Sequence, residues 1–176
     1  MTPSIPMPDR RRAVRRASRI KFLILDVDGV MTDGGLYYSA DGQELKRFHA
    51  HDGYGIVLAR EAGLGVGIIS GRETPIVNAR ARVLGIVDVH QGIDDKVAAM
   101  REIQKKYRLA ESEIAYLADD LFDIPLLRTV GLSGAPKNAR PEVRRVVHFV
   151  TAAAGGDGAV REFVEFILGH RGKRRR

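Results

Sequence analysis

The 176-residue chain contains no cysteine. That absence excludes a disulfide framework, a thiolate nucleophile and any cysteine-ligated metal, and it removes the usual signature of a small secreted scaffold. The compartment it points to is a reducing cytoplasm. Long apolar runs are missing too. None approaches the roughly 20 residues that a membrane-spanning helix needs, and the arginines near the N-terminus lack the apolar segment of a secretion signal. No internal repeat and no long low-complexity stretch is present in the body. The length suits one domain with a core of its own.

What charge there is lies unevenly. The formal net charge is +7, which invites a nucleic-acid reading. Residues 1–20 hold six arginines against one aspartate, and residues 169–176 hold five Lys or Arg, leaving 18 basic against 21 acidic residues between them. A mildly acidic body with two basic ends is not a basic binding face, so no specific nucleic-acid partner is expected. Residues 1–19 and 169–176 read as solvated, disordered tails around a domain at 20–168, because such like-charged runs repel and rarely fold.

The body alternates short β-branched or apolar runs with longer segments of helical spacing. Strands are predicted at Lys21–Val27, Gly65–Ile69, Val87–His90, Ile114–Ala118, Val130–Ser133 and Val146–Val150. Helices are predicted at Gly53–Ala62, Pro75–Leu84, Asp94–Tyr107, Asp123–Thr129, Arg140–Arg144 and Gly158–Leu168. This alternation predicts an α/β fold, a doubly wound parallel sheet with helices on both faces. One segment breaks the rhythm. "GLYYSADGQELKRF" reads as two extended arms around Asp41-Gly42, a two-residue hairpin signal, inserted after the first strand. In a doubly wound sheet that connection lies at the carboxyl ends of the strands, where ligands bind. The hairpin is therefore expected to cap the site or to pair with another subunit.

Four features fall at successive strand ends on this scaffold. Asp26 and Asp28 follow the first strand, Ser70 the second, Lys96 opens the third helix, and Asp119, Asp120 and Asp123 follow the fourth strand. Several carboxylates in one crevice repel each other unless a counter-charge is present. A hard cation with oxygen ligands supplies it, and Mg²⁺ is the natural choice. Asp26 can then attack phosphorus to give an aspartyl-phosphate, and Asp28 can protonate the leaving alkoxide and later deprotonate water. Ser70 and Lys96 would bind the transferring phosphoryl oxygens. Gly29 lets the backbone approach the anion.

"DVDGV", "ISGR", Lys96 and "ADDLFD" together resemble, in order, the four motifs of the haloacid dehalogenase superfamily of phosphohydrolases. "DVDGVMTDG", the hairpin, "FHAHDGYGI", "GLSGAPKNARPEV" and "AGGDGAVRE" narrow the likeness to the small 3-deoxy-D-manno-octulosonate 8-phosphate phosphatases, over about residues 20–168. The resemblance implies a phosphatase of lipopolysaccharide biosynthesis with no separate cap domain. Asp26, Asp28 (through its backbone carbonyl) and Asp119 would be the metal ligands, and Asp123 would orient Lys96 or a metal-bound water. The implied assembly is a homotetramer in which hairpins associate and neighbouring subunits complete each site. The implied substrate contacts are Asp28, Lys96, Arg72, Arg80 and the loop His49, Ala50, His51, Asp52 and Gly53.

That loop departs from the family pattern. The family usually reads Asn-Val-Arg before the Asp-Gly, whereas this chain reads His-Ala-His, so His51 puts an imidazole where the family has a permanent guanidinium charge. A related nonulosonate 9-phosphate is accordingly the alternative substrate. Ala118 replaces the usual glycine before the acidic pair. Three other readings carry less. His49 and His51 could share a strand face and ligate zinc or iron, but the acidic crevice favours a hard ion. A receiver-type signalling domain would need a phospho-accepting aspartate after the third strand, near Asp88, and a different order of motifs. A non-catalytic scaffold acting through its basic ends leaves the intact acidic positions unexplained.

Overall fold

The computed structural model describes residues 10–171. Six parallel strands form one sheet: β1 (Phe22–Leu25), β4 (Gly65–Ile69), β5 (Asp88–His90), β6 (Ile114–Leu117), β7 (Leu132–Ala135) and β8 (Phe149–Val150), in the order β5-β4-β1-β6-β7-β8. Two further strands, β2 (Tyr37–Tyr38) and β3 (Glu44–Leu45), pair antiparallel as the hairpin after β1. The α/β doubly wound expectation is met.

All four residues of β1 are buried, as a central parallel strand requires. Its side chains alternate between two cores: Leu23 and Leu25 join one apolar cluster, Phe22 and Ile24 the other. The first cluster holds α2 (Ala50–Glu61), α3 (Pro75–Leu84) and α7 (Ala159–His170); the second holds α4 (Lys96–Tyr107), α5 (Ile124–Thr129) and α6 (Pro141–Val146). The chain winds outward from β1 through β4 to β5, then returns to β6 on the other side. The crevice between β1 and β6 is thus the point where strand order reverses, the place where such sheets bind ligands.

Three expectations need correction. The basic N-terminal segment is not simply a solvated tail: Arg10–Ala17 forms a helix, α1, whose Ala13 and Ala17 are fully buried in the first cluster. Four residues apart, they share one face, and the arginines occupy the rest of the surface. The start of the expected C-terminal tail is likewise ordered, since α7 runs through His170 and Arg171 donates to the Ala62 and Gly63 carbonyls at 2.7 and 2.9 Å; residues 1–9 and 172–176 lie outside the described residues.

The hairpin loop has three residues, not two. Ser39 donates its N–H to the Gln43 carbonyl at 2.9 Å, so Ala40, Asp41 and Gly42 form the loop. Only Gly42 there has positive φ, at 83°, whereas the two-residue turn would require it of Asp41 as well. Lastly, the β-branched run at Val146-Val147 is not strand. Pro141 starts a helix that runs through Val146, with Val143 and Val147 a turn apart against the second core. Only Phe149–Val150 pairs with β7.

Candidate active site

The strand ends bring the predicted residues together. A cleft of about 280 Å³ at the carboxyl edge of the sheet is lined by Asp26, Asp28, Ser70, Arg72, Lys96, Asp119, Asp120 and Asp123, with Gly29, Gly34, Gly71 and Phe122. Asp26 directly follows β1, and its backbone N–H continues the ladder to Leu117 at 3.0 Å, which fixes it at the sheet edge. Ser70 follows β4, is 2% exposed, and has its N–H tied to His90. Lys96 opens α4 behind Asp95, whose side chain caps the helix by accepting from the Ala98 N–H at 3.0 Å.

Lys96 is the hinge of the buried charge network. Its Nζ donates to Asp26 Oδ1 at 2.9 Å and to Asp123 Oδ1 at 2.6 Å, and it lies 3.2 Å from the Tyr116 hydroxyl. Tyr116 donates in turn to Asp123 Oδ1 at 2.6 Å. Burial disfavours charge on Lys96, yet Asp26 and Asp123 outweigh it and hold its pKa above the ordinary value. One ammonium does not balance the acids around it. Burial first, then Asp123, pushes Asp26 up to about 7 against the pull of Lys96. Burial and the charge of Asp26 push Asp119 up to about 7 as well.

Carboxylate oxygens of Asp26, Asp119 and Asp123 lie within 4.8 Å of one another. An octahedral ion with Mg–O bonds of about 2.1 Å spans such a set after small side-chain rotations. Its charge answers the repulsion recorded in the raised pKa values, so the donor set fits Mg²⁺. Gly29 is needed for the same geometry. It has φ 82°, and a Cβ there would stand 2.1 Å from Asp119 Oδ2.

Other predicted positions sit elsewhere in the chain. The Asp28 carboxylate belongs to the cleft but turns toward Lys46 of the hairpin, which donates to it. His49, Ala50, His51, Asp52, Gly53 and Arg80 do not line the cleft. Asp52 caps α7 instead, accepting from Gly158 N–H at 3.2 Å and Arg161 N–H at 2.9 Å. Arg80 lies over the Phe48 ring, 5.4 Å from its centroid, and crowds Gly53 closely enough that a Cβ there would fall 2.4 Å from Nη2. The His49 and His51 rings meet edge to face, and His49 Nε2 stands 3.7 Å from Asp157. These residues form a second group at the start of α2.

Two site residues escaped the sequence reading. Lys46 lies in a stretch read only as a hairpin arm, and no motif marks it. Tyr116 looks like one more apolar strand residue; its place three positions before Asp119 is the only signal that its hydroxyl reaches the crevice.

Comparison with known proteins agrees with the geometry. The description of the haloacid dehalogenase-like hydrolases matches residues 76–163. The 3-deoxy-D-manno-octulosonate 8-phosphate phosphatase of Salmonella typhi is 42% identical over 166 residues, covering 94% of this chain and 88% of that protein. The solved phosphatase of the same name from Yersinia pestis superposes with a TM-score of 0.90 at 41% identity, over 92% of this chain and 88% of that one. The Moraxella catarrhalis enzyme, solved with magnesium, phosphate and KDO bound, superposes with a TM-score of 0.90 at 36% identity, over 93% and 94% of the two chains.

Proposed function

The chain belongs to the 3-deoxy-D-manno-octulosonate 8-phosphate phosphatase family of haloacid dehalogenase-like hydrolases, and from that premise we propose that it hydrolyses 3-deoxy-D-manno-octulosonate 8-phosphate to the free sugar acid and phosphate. The observation that carries the reading is the convergence of Asp26, Asp119 and Asp123 around Lys96 at the β1/β6 crevice.

Asp26, Asp119 and the Asp28 backbone carbonyl would hold Mg²⁺, with Asp123 beside them, and the ion when bound offsets the carboxylate charge and polarises the phosphoryl oxygens. The residues of the chain do the rest. Asp26 attacks phosphorus, forming an aspartyl-phosphate as the sugar alkoxide leaves. Asp28 gives that alkoxide its proton, then takes one from the water that releases phosphate. Ser70 and Lys96 bind the phosphoryl oxygens as charge shifts among them, while Asp123 and Tyr116 keep the ammonium in place.

Recognition of the sugar acid falls to Arg72 at the rim and to the group around His49–Gly53 and Arg80. Arg80 Nε is buried without a hydrogen-bond partner among the described residues, which suits a donor awaiting a carboxylate. Since that group lies outside the cleft of its own chain, we read the enzyme as a homo-oligomer, with a tetramer as the family precedent. The hairpin supports this: Leu36, Tyr37, Tyr38 and Leu45 are all exposed, and an isolated two-stranded ribbon is marginal. No helix among the described residues is long and apolar enough to cross a membrane, which accords with action in the cytoplasm.

His51 gives a nonulosonate 9-phosphate its claim as a second substrate. Phosphate release from both sugar-acid phosphates, with Mg²⁺ and with EDTA, tests the assignment. The octulosonate ester should give the higher kcat/KM and lose turnover in EDTA. Preference for the nine-carbon ester would move the assignment to that substrate.

A further inference from the structure

Helix α1 forms one wall of a second cleft, built where α1 meets the end of α5 and the lead-in to β8. It encloses about 420 Å³, against about 280 Å³ for the catalytic crevice. Arg12 and Arg16 reach it from α1, Arg128 from α5 and His148 from the segment before β8; Glu111 is the one acidic lining residue among those described. It lies beside Gly131, at the amino end of β7, whereas the catalytic aspartates gather at the carboxyl ends of the strands.

One of these cations is fixed by the fold. Arg16 Nη1 donates to the Gly131 carbonyl at 2.5 Å, using one of its five N–H donors. Burial, followed by the neighbouring charges of Arg12 and Arg19, lowers its pKa from the ordinary value. His148 shares these surroundings. Burial above all, then Arg16 and Arg12, pushes its pKa down to about 4, so its ring is neutral at pH 7. Nδ1 accepts from the Ser133 N–H at 3.1 Å, leaving the ring proton on Nε2.

We propose that this cleft binds a small, multiply charged oxyanion of the phosphate class, held by the guanidinium groups of Arg12, Arg16 and Arg128 beside His148. Planar guanidinium forks match phosphate geometry bidentately. The volume lies in the range of small-ligand sites, roughly 300–1,000 Å³. A small anion fits better than a nucleic acid, because the cations line a concavity while the body between the two basic ends carries more acidic than basic residues.

Calorimetric titration of the full chain with inorganic pyrophosphate, in EDTA and at constant ionic strength, tests the site. Without metal the catalytic crevice is dominated by carboxylates and repels the anion. One saturable site per chain is expected, with acetate far weaker. Arg128→Gln and Arg16→Gln should each weaken pyrophosphate binding by about tenfold or more, while Arg72→Gln at the catalytic rim leaves it unchanged. Arg128 is exposed, so its variant keeps the fold even if Arg16→Gln loosens α1. Absence of saturable binding at millimolar pyrophosphate, or binding that survives Arg128→Gln, overturns the proposal. A short single-stranded RNA binding more tightly than pyrophosphate overturns it also, by making the surface an extended one. The readout is binding alone, so it stands or falls apart from the phosphatase reading.

Discussion

Lys46, from the returning arm of the hairpin, pairs with Asp28 in the loop after β1, and only 1% of its side chain is exposed. It also lies 3.4 Å from Glu44, which in turn pairs with Arg72 at 3.0 Å. The hairpin therefore delivers a buried cation to the proposed acid and base as well as an apolar surface for assembly. Lys46→Met leaves the Asp28 charge without its partner, and kcat should fall by about tenfold or more, with Lys46→Arg recovering part of it. Steady-state kinetics of the two variants check this; an unchanged kcat in Lys46→Met would separate the pair from catalysis.

Asp26→Asn removes the nucleophile, so phosphate release should drop by at least about 10³-fold. The fold should survive and even gain. With EDTA above about pH 7, where the Asp26 carboxylate loses its proton, the variant should melt at a higher temperature than the parent, because Lys96 still has Asp123. Thermal denaturation beside the activity assay separates loss of chemistry from loss of structure.

The raised pKa values of Asp26 and Asp119, each about 7, set a pH dependence of stability. In the unfolded chain both titrate near 3.8. Between these values the folded form binds more protons, so its stability is full below the lower value and declines as pH rises through the upper one. Melting temperatures of the metal-free protein should fall across that window. Mg²⁺ competes with those protons, so the stabilisation it gives should grow as pH rises; a melting curve indifferent to Mg²⁺ above about pH 7 would count against the carboxylate site.

Gly29→Ala should cost about 1–2 kcal/mol in the backbone alone, since a side chain is forced into the left-handed region. Its methyl group also displaces the Asp119 carboxylate. Mg²⁺ affinity measured by titration should therefore weaken more than the stability change explains, whereas Gly42→Ala, at the open hairpin turn, strains the backbone without touching the metal.

Ala17 is fully buried between α1 and the first core. Ala17→Glu places a charge there and should destabilise the protein by about 2–4 kcal/mol. Chemical denaturation measures it; an effect near zero would mean that α1 is not part of the cooperative unit.

The sheet could be read from the sequence because a parallel strand covered on both faces is a short apolar run, and Gly65–Ile69 stands as expected to the residue. Asp26, Ser70, Lys96 and Asp119 could be read because each directly follows a strand or opens a helix, so its position along the chain already states its position at the sheet edge. Lys46 could not, since its partner is 18 residues away and depends on how the hairpin folds back. Helix α1 was hidden by its charge. Six arginines within residues 1–20 point to repulsion, while the two small residues that dock the helix, Ala13 and Ala17, carry little apolar weight in sequence. The grouping of Arg80 with residues 48–53, away from the crevice, follows from packing between α2 and α3, which local pattern does not encode.

Gly155 and Gly156 press against the loop after β1: a Cβ on Gly155 would fall 1.7 Å from the Gly29 carbonyl oxygen, and Gly156 donates to the Val30 carbonyl at 3.0 Å. Asp52 anchors the start of α7 just beyond them. The loop that shapes the crevice is thus braced by a segment remote from it in sequence. A partly folded chain that has formed every strand bearing an acidic motif still lacks a brace for the first of them until those glycines dock, so the crevice takes its shape only when two distant parts of the fold meet.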